Sequence, residues 1–126
     1  MTQARVRLTE EARDDLHDLD GAAQRIVAKG LRKLRTDPHL RGQPLGSRSG
    51  GDLTTFRKLV VGNRTYRIVY RVESNDTVVV IWVIGKRADN EVYELAMTRL
   101  RMHENAIVRG LAESLHEIWD DPNREE

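Results

Sequence analysis

Residues 78–84 read Val-Val-Val-Ile-Trp-Val-Ile, a run with no polar position on either side of a strand's two-residue repeat. Such a run is stable only where both faces of a sheet are covered, so it predicts an interior strand with structure layered above and below it. Its neighbours are marked by their turns. Phe56 to Val61 and Tyr66 to Val72 flank Gly62-Asn63-Arg64-Thr65, and Ser74-Asn75-Asp76 precedes the apolar run. Three sequential antiparallel strands are predicted.

The cover must come from helices at the two ends of the chain. Val6 and Leu8 alternate with Arg5 and Arg7 as in a half-buried strand, after which Thr9 offers an N-cap and Glu10 and Glu11 a first turn. Ala12, Leu16 and Leu19 form the apolar stripe of that helix. Beyond Asp20-Gly21, Ala22, Ile26, Val27, Leu31 and Leu34 repeat at helical spacing, which predicts a helical hairpin. Thr36 to Asp52 is rich in Pro, Gly and Ser and reads as a long loop. After the strands, Asp89 or Asn90 caps a third helix carrying Val92, Leu95, Ala96 and Leu100. A fourth is predicted from Glu104 to Trp119, with Ile107, Leu111, Leu115 and Ile118 inward and Asp121-Pro122 as its stop. The fold expected is α+β: an N-terminal strand and helical hairpin packed on an antiparallel sheet of about four strands, with a C-terminal helix or helices.

Pairing Val61 with Tyr66 across the first turn sets the register of the first two strands of the sheet. Phe56, Lys58 and Val60 then share a face with Arg67, Val69 and Arg71. Leu59, Val61, Tyr66, Ile68 and Tyr70 make the opposite, core-forming face, on which Arg57 is out of place unless it lies near an edge or a bulge. Lys86 and Arg87 follow at the rim. Converging cations of this kind grip phosphates, and a tyrosine nearby supplies a plate for a base.

Charge partition points the same way. Through Met102 there are 19 basic and 13 acidic residues, beyond it 2 and 7, giving a balance of +6 for residues 1–102 and −5 for residues 103–126. A basic body suits a polyanionic partner, and the acidic segment is expected to be an added helical extension. With no cysteine, and with His17, His39, His103 and His116 lacking ligand spacing, neither a metal nor a cofactor is expected. No apolar stretch is long enough to span a membrane and no signal-peptide pattern opens the chain, so a cytoplasmic protein is expected.

The order strand, helix, helix, followed by Gly62-Asn63-Arg64-Thr65-Tyr66-Arg67-Ile68-Val69-Tyr70, Ile84-Gly85-Lys86-Arg87 and Glu91-Val92-Tyr93, resembles the RelE/ParE toxin superfamily over residues 4–101. The resemblance, closest to the RelE branch, implies the toxin of a type II toxin-antitoxin system. Such a toxin cuts mRNA in the ribosomal A site and is neutralised by a cognate antitoxin. It further implies that Arg67 clamps the phosphate, that Arg87 assists the leaving side, that Tyr93 orients the substrate by stacking, and that Lys58 is a matching basic group. Arg57, Arg64, Arg71 and Lys86 complete the RNA-binding set. The lysine that the resembled enzymes use to activate the 2′-hydroxyl is replaced by Val60; either Lys58, about 6 to 7 Å along the same face, substitutes for it, or the site works without a proper base, by positioning and charge stabilisation. The same resemblance admits a ParE-like toxin that binds DNA gyrase without cutting nucleic acid, or an inactive RNA-binding module.

Overall fold

The computed structural model of the chain describes residues 3–48, 51–73, 77–86 and 88–120, and the side chains of all of these except 47, 48, 51–54 and 108–120. Strand β1 (Arg5–Leu8) leads into α1 (Glu10–His17) and α2 (Gly21–Lys33), then a short 3₁₀ turn (Pro38–Leu40). Strands β2 (Gln43–Arg48), β3 (Gly51–Val61), β4 (Tyr66–Glu73) and β5 (Val78–Gly85) follow, and α3 (Asp89–Asp120) closes the chain. The five strands form one sheet in the order β1-β5-β4-β3-β2. The β2–β3, β3–β4 and β4–β5 pairs are antiparallel, and β1 lies parallel to β5. The fold is α+β, as expected, with a mixed sheet.

The Thr9 cap read from the sequence holds, accepting from the Ala12 backbone amide at 3.1 Å. Asp20, read only as a break between helices, caps α2 by accepting from the Ala23 amide at 2.8 Å; each satisfies an amide left over by a helix start. Ala12, Val27 and Leu34 are fully buried against one sheet face, whereas Ile26 is 38 % exposed and the inward places go to Ala23 and Gly30. Small residues are needed there because α2 lies close on the sheet. A Cβ added at Gly30 would meet Ile68 and Val61 side chains at 3.0 Å each.

Strand β5 is interior and covered on both faces, and a bulge explains how it serves both. Val69 pairs with Val83 and Tyr70 with Ile81, leaving Trp82 as the extra residue. Trp82 and Val83 therefore both pack toward α3, with Phe56, Val69, Val92, Tyr93, Ala96 and Met97. Val79, Ile81 and Ile84 face α1 and α2, together with Ile68 and Tyr70.

Two elements differ from the sequence reading. The 36–52 segment is not all loop: Gln43–Arg48 pairs with β3 as an edge strand, with a register shift between Pro44 and Gly46. An edge needs only one side of its backbone paired, which is why proline is tolerated there. The third and fourth helices are one, because Arg101-Met102-His103 contains no breaker. At 1.5 Å per residue this 32-residue helix is about 48 Å long, well beyond an eight-residue strand. It has left the sheet by Glu104, and residues 104–107 are exposed, including Ile107 at 64 %. The inward stripe expected from Leu111 to Ile118, like Trp119, falls on side chains outside the described set, and Asp121-Pro122 lies outside it altogether. No helix among the described residues is long and apolar enough to cross a membrane.

Candidate functional site

The register between β3 and β4 is the one read from the turn: Val60 opposes Arg67, Lys58 opposes Val69 and Phe56 opposes Arg71. The turn itself is tight. Thr65 N donates to Gly62 O at 3.1 Å, and Gly62, Asn63 and Arg64 have φ of 63°, 55° and 69°. Positive φ at both central residues gives the hairpin twist that adjacent strands require, at a steric cost for the non-glycine Arg64.

Lys58, Arg64 and Arg67 line an open cleft of about 570 Å³, with Val60 on its floor and Gly42 on its wall. Asp89, the first residue of α3, joins them. Its carboxylate accepts from Lys58 Nζ at 2.7 Å and from Arg67 Nε at 2.6 Å. Hydrogen bonds from Lys58 first and Arg67 second hold this carboxyl down to about 2, from an ordinary 3.8. The two cations are mostly covered, at 16 % and 19 % side-chain exposure, whereas Asp89 is 44 % exposed and faces outward.

The wall is held by residues of the other face. Arg57 Nε donates to Arg41 O at 2.8 Å, and its terminal nitrogen donates to Gly42 O at 3.1 Å. The buried Tyr70 hydroxyl lies 2.6 Å from Arg41 O and 3.0 Å from Pro38 O, and burial raises its pKa. Gly42 itself has φ of 60°, and a Cβ there would stand 2.2 Å from the Lys58 carbonyl oxygen, so only glycine fits.

Of the residues expected to bind RNA, Lys58, Arg64 and Arg67 are therefore brought together. Arg71 lies on the same face but farther along β4, where it pairs with Glu73 at 3.2 Å and packs over the Phe56 and Trp82 rings, 5.1 and 5.6 Å from their centroids. Arg57 is committed to the carbonyls of the 38–42 segment, which explains a basic residue on a core face: it sits at the β2 side of β3 and is a structural clamp. Exposed Lys86 borders a separate hollow with Asp15, Asp18 and Glu91, on the α1 side. Arg87 lies outside the described residues. Tyr93 is 1 % exposed in the core between the sheet and α3, so no base can stack on it in this conformation. The sequence puts it at the start of a helix beside the rim, but the helix turns it under.

Asp89 is the residue that sequence reasoning missed. Its local sequence suggests only a cap, but the helix begins one position earlier, with Val92 N donating to Ala88 O at 3.1 Å. The signal available was a lone acid immediately after Lys86-Arg87, in a chain whose sheet face is otherwise basic.

The molecule thus carries a helical hairpin on one face of a five-stranded mixed sheet, a C-terminal helix on the other and a cationic cleft at the end where the β3–β4 turn lies. A model described as the ParE toxin of the type II toxin-antitoxin system parDE matches residues 6–91. An Escherichia coli RelE-like toxin protein is 29 % identical over 96 residues, which is 76 % of this chain and 96 % of that one. The toxin-antitoxin complex RelBE2 of Mycobacterium tuberculosis contains a chain 32 % identical to this one, with a TM-score of 0.58 over 68 % of this chain and 100 % of that one. A variant of the E. coli toxin RelE in the free state matches at 25 % identity and a TM-score of 0.58, over 79 % and 98 % of the two chains. The chain belongs to the RelE/ParE superfamily and is a type II toxin.

Proposed function

We propose that this toxin is a metal-independent endoribonuclease that cuts mRNA in the ribosomal A site and is neutralised in the cytoplasm by a cognate antitoxin. The observation that carries the reading is the convergence of Lys58, Arg64 and Arg67 on one cleft of the sheet face. In the reaction, the ribose 2′-oxygen forms a bond to phosphorus, the bond from phosphorus to the 5′-oxygen breaks, and the departing oxygen takes up a proton. Arg67 and Arg64 stabilise the charge accumulating on the phosphoryl oxygens. The incoming phosphate displaces Asp89; Lys58, after giving its own proton to water, accepts the 2′-hydroxyl proton, water protonates the departing 5′-oxygen, and Arg87 stabilises charge on the leaving side. With a valine where the usual base stands, catalysis leans on alignment of the RNA by the ribosome. Residues 1–102 form the toxin unit, and residues 103–126 are its acidic extension. The RelE-like relative and the solved toxin-antitoxin complexes support an antitoxin partner.

A second reading, a non-nucleolytic toxin that inhibits DNA gyrase, draws on Val60 in the cleft, the buried Tyr93 and the ParE family match. Controlled expression with mapping of cellular mRNA 5′ ends separates the two. The nuclease yields codon-phased new ends that disappear in Arg67→Ala. Growth arrest with intact mRNA, a DNA-damage response and loss of supercoiling by purified gyrase would establish the second reading instead.

A further inference from the structure

We propose that Asp89 is an internal competitor for the phosphate site: its carboxylate occupies the place between Lys58 and Arg67 that a phosphodiester must take, and so sets which anions the cleft accepts. The inference rests on the cleft being a polyanion site, as proposed above, but not on its cutting RNA.

The geometry has three parts. The carboxylate is within 2.7 Å of one cation and 2.6 Å of the other, the separation of charge-assisted hydrogen bonds that a phosphate oxygen would make. The cations are the inner, covered members and the acid is the outer one, so Asp89 can swing into water without disturbing the sheet. It also lies in the first turn of α3, where a displaced negative charge remains favoured by the helix dipole. Displacement therefore costs little, yet it is opposed, because the tethered carboxylate acts at a high local concentration.

The consequence is selection by number of contacts. A small anion that reaches only Lys58 and Arg67 replaces one anion with another and gains little. A nucleic-acid backbone that reaches Arg64 as well adds an attraction that Asp89 does not offset, since Asp89 has no contact with Arg64 among those described. The cleft should then discriminate against free phosphate in favour of a chain of phosphodiesters.

The test uses the full chain and a 2′-O-methylated single-stranded RNA, which cannot be cleaved, with binding followed by fluorescence anisotropy across salt concentrations. Asp89→Asn should tighten binding by about five- to tenfold and steepen the salt dependence by about one phosphate contact. Inorganic phosphate should compete with the RNA in the variant at concentrations that leave the wild type unaffected, and Asp89→Glu should behave as wild type. Unchanged or weaker binding by a folded Asp89→Asn, or no binding by either protein, overturns the proposal. A wild-type measurement removes dependence on the variant's folding: the Asp89 carboxyl, followed by carbon NMR, should titrate nearer its ordinary value when the RNA is bound. An unmoved titration overturns the proposal as well. Tighter binding by Asp89→Asn with no mRNA cleavage on ribosomes would refute the nuclease alone, and cleavage with unchanged affinity would refute the competitor alone.

Discussion

Arg99 of α3 holds Asp15 of α1 through both terminal nitrogens, at 2.6 and 3.0 Å, across the bulged strand β5. The same guanidinium donates to Trp82 O at 2.9 Å, and Asp15 accepts from Ile84 N at 3.0 Å, so the pair also satisfies backbone groups around the bulge. Both side chains are nearly covered, at 13 % and 14 % exposure. Removing one partner leaves a covered charge and an orphaned backbone group. Asp15→Ala or Arg99→Leu should therefore cost about 3 kcal/mol in urea unfolding. The double variant should recover part of the loss, and an additive double loss would show that the two act independently.

Acid should loosen the chain through two carboxyls. Asp89 is held at about 2 instead of 3.8, and hydrogen bonding to His103 lowers Glu11 below its ordinary 4.5. Each has a folded-state pKa below its unfolded one, so the folded state binds fewer protons in acid. Their stabilisation is complete above about pH 5 and falls away as pH drops through 4.5 and 3.8 toward 2. Thermal unfolding against pH should show this slope, and Asp89→Asn should flatten it below about pH 4. An unchanged slope would mean that the Asp89 ion pairs do not persist in solution.

Gly42→Ala should destabilise by roughly 2 kcal/mol or more, because the new methyl meets the Lys58 carbonyl and the backbone is left-handed. Since the clash falls on the strand residue that carries the Lys58 ammonium, binding of RNA should weaken in the same variant. A stable Gly42→Ala with native binding would show that the 38–42 wall is not built as described.

Tyr93→Ala should lower stability by about 3 to 4 kcal/mol by opening a cavity under α3. Loss of toxicity in that variant accordingly reports folding, and soluble protein must be measured beside it. A Tyr93→Ala variant as stable as wild type would return Tyr93 to the surface and to a stacking role.

The β3–β4 hairpin was legible because its turn chemistry and its alternation agree, and a two-residue period leaves only one register that buries Tyr70. The bulge at Trp82 was not, since a strand apolar at every position contains no alternation whose slip could be noticed. Strand β2 was hidden for the opposite reason: Gln43-Pro44-Leu45-Gly46 has turn-like local preference, and only pairing with β3 makes it a strand. In the site, Lys58 and Arg67 followed from register. Asp89 did not, because nothing local to Ala88-Asp89-Asn90 encodes a contact with residues 31 and 22 positions away. Tyr93 packs in the core beside Val92, Ala96 and Met97, a placement that its helical spacing to Ala96 and Met97 made legible and that the family resemblance, which gives it a stacking role, did not.

The most direct measurement is single-turnover cleavage of a defined mRNA held in the A site of purified ribosomes, with the wild type, Arg67→Ala and Val60→Lys compared. The cleft as described predicts slow cutting by the wild type, loss in Arg67→Ala, and acceleration in Val60→Lys, where the lysine stands opposite Arg67. An mRNA that stays intact with all three proteins, at toxin in excess over ribosomes, would contradict the assignment of this cleft as a ribonuclease site.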